Sequence, residues 1–189
     1  MRLRGEITAD RPLLVLAAEE EAAHLDEALP VLITGMGKVL AATAVSAVLA
    51  GARPAAVVNL GTAGALRPGR SGLHEIGTVL QHDLDTTLLR TLTGRTYGSP
   101  LVLGPAGPVL ATGDLFVSAE AARARLAERA DLVDMEGYAV AWAAAQAGVP
   151  CRLIKQVSDD AGEGAARTWQ ESVDDCARVL AEWVAVNLR

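Results

Sequence analysis

Cys151-Arg152-Leu153-Ile154-Lys155-Gln156-Val157-Ser158-Asp159-Asp160 is an apolar run that stops abruptly at Ser-Asp. It reads as a buried strand that delivers a carboxylate to its carboxyl end, which is where open α/β sheets bind ligands. Upstream, Leu132-Val133 is a short apolar strand, and the acidic pair in Asp134-Met135-Glu136-Gly137 opens the next helix. Carboxylates at two strand ends, in a chain this rich in apolar residues, point to proton transfer and hydroxyl binding. An enzyme is the leading reading.

The same alternation runs outward along the chain. Leu13 to Ala18, Val31 to Thr34, Ala56 to Leu60, Gly77 to Asp83 and Val109 to Thr112 read as further strands. Helical spacing runs from Lys38 to about Ala50, stopping at Gly51 with Pro54 beyond. Ser118 is the expected cap of a helix reaching about Ala130, and another helix runs from Glu136 to Ala147 before Gly148-Val149-Pro150. The last helix, roughly Ala166 to Leu188, puts Trp169, Val173, Cys176, Ala177, Leu180, Trp183 and Val184 on one face. The polar stretch up to Gly98 carries no clear assignment. These elements predict an α/β fold, a single domain over residues 1–189 whose central mixed sheet has helices on both faces.

The composition bounds the function. The 189 residues are 51% apolar but only 3% aromatic, so the core is expected to be Ala, Leu and Val. A net charge of -6 without a basic run argues against nucleic acid as a partner. No stretch approaches the ~20 apolar residues of a membrane span, and the early apolar run Leu13 to Ala18 is short for a signal peptide. Cys151 and Cys176 lack metal or redox spacing and are expected reduced and buried, in keeping with a cytoplasmic protein. His24, His74 and His82 are scattered, so no metal is expected, and no cofactor motif is complete.

Gly35-Met36-Gly37-Lys38 lacks the spacing of a phosphate loop, and a tight turn and a ligand-facing turn stand about level. Gly61-Thr62-Ala63-Gly64 shares that ambiguity, with Thr62 offering a hydroxyl. Glu19-Glu20-Glu21 would ordinarily be a solvated helix start, yet it directly follows the first strand. Lys155 either escapes at a sheet edge or faces the site as a counter-charge. No Gly-x-Ser-x-Gly elbow or Cys-His pairing offers a covalent nucleophile, so the carboxylates are the available chemistry.

Taken in order, Gly35-Met36-Gly37-Lys38, Asn59-Leu60-Gly61-Thr62-Ala63-Gly64, His82-Asp83-Leu84-Asp85, Thr112-Gly113-Asp114-Leu115-Phe116, Asp134-Met135-Glu136 and Val157-Ser158-Asp159 resemble the nucleoside phosphorylase and nucleosidase superfamily. The nearest branch is that of 5'-methylthioadenosine/S-adenosylhomocysteine nucleosidases. The resemblance implies that Asp159, beside Ser158, supplies or shares a proton at purine N7, and that Glu136 binds the ribose hydroxyls with Met135 under the sugar. It implies Phe116 stacked on the base and the Val117 backbone at the base edge. Glu21 would polarise the attacking water, with Thr62 and Lys155 around that water or phosphate. Gly64 would let the backbone approach the ligand, and Met36 and Trp169 would belong to the 5' pocket. The implied partners are a purine nucleoside and water as co-substrate, in a homodimer or higher oligomer.

Breaking an N-glycosidic bond requires a protonated leaving base and a positioned nucleophile. Asp159 must then hold or share a proton while Glu21 stays ionised. Phosphorylases of the superfamily usually carry Gly-Asp-Pro and arginines where this chain has Ala17-Ala18-Glu19-Glu20-Glu21, so hydrolysis is favoured. The chain departs from the pattern in its trimmed segments before Gly35 and after Asp85, in Lys155 at the place of an arginine, and in Asp160-Ala161-Gly162 after Asp159. The alternatives are a nucleosidase for another purine nucleoside (futalosine-type), a phosphate-dependent purine nucleoside phosphorylase, or an inactive nucleoside-binding protein.

Overall fold

The computed structural model describes residues 1–188. Its first half contains β1 (Arg2–Arg4), β2 (Leu13–Leu16), β3 (Val31–Ile33), α1 (Lys38–Leu49), β4 (Val57–Ala65), β5 (Leu73–Glu75), β6 (Thr78–Gln81) and α2 (Thr86–Thr93). Its second half contains β7 (Leu101–Val102), β8 (Val109–Thr112), α3 (Glu120–Ala127), β9 (Leu132–Asp134), α4 (Gly137–Gln146), β10 (Cys151–Asp159) and α5 (Ala165–Asn187).

These strands form one mixed sheet, as expected. Its main path runs β1-β3-β2-β4-β9-β8-β6-β7, with β10 on β4 and β5 on β10. β4 organises it. One edge of β4 carries β10 in parallel along almost its whole length. The other edge is shared: β2 pairs in parallel with residues from Val57 to Asn59, and β9 pairs antiparallel with Gly64 and Ala65. The chain after β2 and the chain after β9 therefore converge on the middle of β4, at a point where strand direction switches.

Alternation along β2 feeds two apolar layers. Leu13 and Val15 pack with α1 and α4 through Ala41, Ala44, Val45, Val140 and Ala144. Leu14 and Leu16 face the other side, with Leu60, Ile154 and Leu180 and Val184 of α5. The small residues let α1 and α4 lie close on one face while α5 covers the other.

Several local expectations are corrected. α3 begins at Glu120 behind an extended Ala119, and Ser118 supplies no cap. Its first turn is organised by the forked Glu120–Arg123 pair, at 2.6 and 2.9 Å. The polar stretch left unassigned contains α2, whose Asp85 side chain accepts from Leu88 N at 2.8 Å, with Gly94 closing it at φ 69°. Arg2–Arg4 adds an exposed strand antiparallel to β3. Glu19-Glu20-Glu21 is a turn rather than a helix start.

Candidate active site

The switch point on β4 opens into a cavity of about 230 Å³. Glu21, Glu136 and Asp159 all line it, on segments that follow or end β2, β9 and β10. Met36, Thr62, Gly64, Phe116, Val117, Met135, Ser158 and Trp169 line it as well. Lys155 does not.

Glu21 leaves the company of its neighbours. Glu19 turns outward to Arg2 at 3.1 Å and Arg4 at 3.5 Å, and Glu20 is exposed. The turn buries Glu21 beneath β4, where its Oε1 accepts from Thr62 N at 2.8 Å and from Thr62 Oγ1 at 2.9 Å. Its Oε2 accepts from Ala18 N at 3.3 Å. Gly61 leaves room here, since a Cβ would lie 3.2 Å from Glu21 Oε1 and 3.3 Å from Lys155 Nζ and would press on both.

Asp159 is aimed by an irregularity of β10. The register with β4 shifts between Val157 and Asp159, which re-directs the strand's last residues. Asp159 Oδ2 then accepts from Ser158 Oγ at 2.8 Å and Oδ1 from Ala161 N at 2.8 Å. Gly64 makes the room, since a Cβ there would sit 3.0 Å from Asp159 Oδ1.

Glu136 follows from the chain leaving β9. Asp134 takes over the start of α4, its Oδ2 accepting from Gly137 N at 2.8 Å. Glu136 is thereby released to reach across, where its Oε1 accepts from Gly37 N, ahead of α1, at 2.7 Å. Burial, reinforced by Asp134, pushes the Glu136 carboxyl up to about 8, against the opposing influence of Lys155. The folded protein thus keeps this proton at pH values where the unfolded chain has lost it. That stabilisation is complete below the ordinary glutamate value of 4.5 and is lost as pH rises through about 8. Between about pH 5 and 8 the wild-type Tm should therefore fall relative to that of Glu136→Gln. Calorimetry showing a constant gap would remove the proton from Glu136.

Lys155 does not escape at a sheet edge, since β10 is paired there on both sides, and it does not itself line the cavity; it is the counter-charge of Asp134, an acid that does. Lys155 is 1% exposed, and its Nζ lies 2.9 Å from Asp134 Oδ2. Burial opposes its charge, but Asp134 and Glu136 outweigh burial and hold its pKa above the ordinary lysine value. Asp134, which itself lines the cavity, also accepts from Thr112 Oγ1 at 2.5 Å, so it ties β8, α4 and β10 together at the cavity wall.

The glycine-rich motifs build the rim. Lys38 N donates to Asp114 Oδ1 at 2.7 Å, Asp114 N donates to Asp83 Oδ2 at 2.9 Å, and Lys38 Nζ reaches Asp83 Oδ1 at 2.5 Å. Gly113 makes room for the His82 ring, which would have to move for any Cβ there, 2.3 Å from Nε2. Met36, Leu115 and Phe116 stand exposed on this rim.

The chain that carries these acids matches a known family. The sequence profile of the phosphorylase superfamily matches residues 83–186. The chain is also 30% identical over 209 aligned positions to the 5'-methylthioadenosine/S-adenosylhomocysteine nucleosidase of Geobacillus thermodenitrificans, covering 96% of this chain and 88% of that protein. It belongs to the phosphorylase superfamily. Within it, the chain is 38% identical to the aminodeoxyfutalosine nucleosidase of Campylobacter jejuni over 78 residues, 40% of this chain and 34% of that protein. The phosphorylase-superfamily fold is shared with a Helicobacter pylori MTAN variant solved with 5'-methylthioadenosine in its active site, at a TM-score of 0.82 and 20% identity, covering 94% and 97% of the two chains.

Sequence reasoning assigned nothing to Ala17, Leu115, Val133, Ala166 and Gln170, which also line the cavity of this superfamily member. Asp134 was visible as half of an acidic pair at a strand end, but nothing in the pair told which carboxylate faces ligand. Ala166 and Gln170 share one turn of α5 with Trp169, and no motif marks them.

Proposed function

We propose that this chain hydrolyses the N-glycosidic bond of a purine nucleoside of the 5'-methylthioadenosine/S-adenosylhomocysteine type. Asp159 gives its proton to N7 as the C–N bond breaks, so the bonding pair leaves on a neutral base. Water held at Glu21 attacks the anomeric carbon and yields its proton to that carboxylate. Glu136 binds the ribose hydroxyls, Met135 supports the sugar, and Phe116 and Val117 frame the base. Asp159 regains a proton from solvent and Glu21 releases one, which closes the cycle.

One observation carries the choice of water over phosphate. The nucleophile's end of the cavity presents a buried carboxylate, and among the described residues no Lys or Arg side chain lines the cavity. Lys155, the cation expected there, is spent on Asp134. A carboxylate without a neighbouring free cation repels phosphate and accepts a proton from water. Chromatography should detect free base and free sugar from methylthioadenosine or S-adenosylhomocysteine in phosphate-free buffer, with no gain from added phosphate. Release only with phosphate would reverse the assignment of Glu21. A futalosine-type nucleoside in the same panel tests the substrate assignment.

We further infer a homo-oligomer, a reading supported by the apolar rim. Val39, 73% exposed, and Leu115, 72% exposed, flank the Lys38–Asp114 contact together with exposed Leu40 and Phe116. The preparation used for the assay should sediment well above the 19.6 kDa of one chain. Free Cys151 and Cys176 support a reducing, cytoplasmic setting. No described helix is long and apolar enough to cross a membrane.

A further inference from the structure

The resemblance places Trp169 in the 5' pocket, and in the structure its indole nitrogen makes a specific contact as well. Trp169 Nε1 donates to Thr62 Oγ1 at 2.9 Å, and Thr62 Oγ1 donates to Glu21 Oε1 at 2.9 Å. The direction of this chain is fixed by chemistry. An indole N–H can only donate, so the Thr62 oxygen must accept from it. The one hydroxyl proton of Thr62 is then turned toward Glu21. Oε1 receives the Thr62 backbone N–H as well, at 2.8 Å. Both lone pairs of Oε1 are thus engaged, and Oε2, with only Ala18 N at 3.3 Å, is the oxygen left to receive a proton. α5 is anchored for this task by Ser172 Oγ donating to Ser158 O at 3.3 Å, on the strand that carries Asp159.

We propose that Trp169 is a positioning residue for the nucleophile. By fixing the hydroxyl of Thr62 it holds Glu21 with Oε2 facing the water. The inference rests on the hydrolase reading for its kinetic consequence, while the hydrogen-bond chain itself does not. A wall that acts by packing alone would be served equally by phenylalanine. Trp169→Phe keeps a ring and removes the donor, and Thr62→Val keeps shape and removes the relay.

A double-mutant cycle on base release separates the two roles. Trp169→Phe should lower kcat about tenfold with KM within about twofold. In the Thr62→Val background the same change should cost less than about twofold, because the relay is already gone. Thr62→Ser, which keeps the hydroxyl, should retain the full dependence on Trp169. An undiminished Trp169→Phe penalty in Thr62→Val, or a penalty confined to KM, overturns the proposal. NMR tests the chain without turnover. The indole ¹⁵N–¹H resonance that disappears in Trp169→Phe should move upfield in Thr62→Val and shift in Glu21→Gln. Unmoved resonances overturn the chain even in an active enzyme. Moved resonances in a protein that releases no base would sink the hydrolase reading and leave the chain standing.

Discussion

Asp159→Asn should lower kcat for base release by about 1,000-fold while leaving nucleoside affinity within a few-fold of wild type. The substitution suits the site structurally. The asparagine oxygen can accept from Ala161 N as Oδ1 does now, and its amide can donate to Ser158 Oγ with the hydroxyl turned to Ala63 O, 3.5 Å away. No cavity opens and Gly64 still clears the side chain, so the fold should hold. What disappears is the acidic proton. An amide cannot neutralise the departing base, and the bond must then break toward an anionic leaving group. Isothermal titration with product base, beside single-turnover kinetics, separates binding from chemistry. Turnover within threefold of wild type would take Asp159 out of the mechanism.

The route to that residue was legible because the sheet's centre is written in plain terms. The centre of β10, Leu153 and Ile154, is fully buried, and although Arg152, Lys155 and Gln156 interrupt the run, its abrupt end at Ser158-Asp159 marks both the strand and its carboxyl end. α5 was equally open, since its apolar face repeats at helical spacing across the whole element. Edge elements carry no such signal. β1 is three residues with two arginines, held by pairing with β3 rather than by burial. α2 consists largely of threonine and leucine with no buried residue, and it persists through the Asp85 cap and Gly94. Both depend on neighbours that local pattern does not name.

The site divides along the same line. Asp159 could be picked out as an acid at a strand end, whereas Glu21 and Glu136 were singled out within their acidic runs by the family resemblance alone. The partner of Lys155 could not be picked out, because Asp134 reaches it through the antiparallel placement of β9 on β4, a pairing local sequence does not encode. The switch in strand direction thus does two things. It gathers the acids, and it pairs the buried Lys155 with Asp134.

Glu21→Gln should therefore be as damaging as the loss of Asp159, by about 1,000-fold in kcat, and for the opposite reason. The site is built for an acceptor on both oxygens. Thr62 N and Thr62 Oγ1 donate to one of them and Ala18 N to the other. A glutamine can satisfy only one of these sides. If its oxygen stays with Thr62, its amide faces Ala18 N–H. If it flips, the amide meets the Thr62 N–H instead. Either way two donors confront each other, at a cost of about 1 kcal/mol or more in stability. In the first arrangement the amide also replaces the oxygen that should receive the water proton. Under the proposed roles nucleophilic attack is then left without a base, while the ribose and base contacts proposed for Glu136 and Phe116 are untouched, so KM should change little. Added phosphate should not rescue the variant, because removing one negative charge supplies no cation to hold the anion. Rescue by phosphate would show that Glu21 excluded a nucleophile the rest of the pocket can bind. Wild-type turnover would show that the water is activated elsewhere.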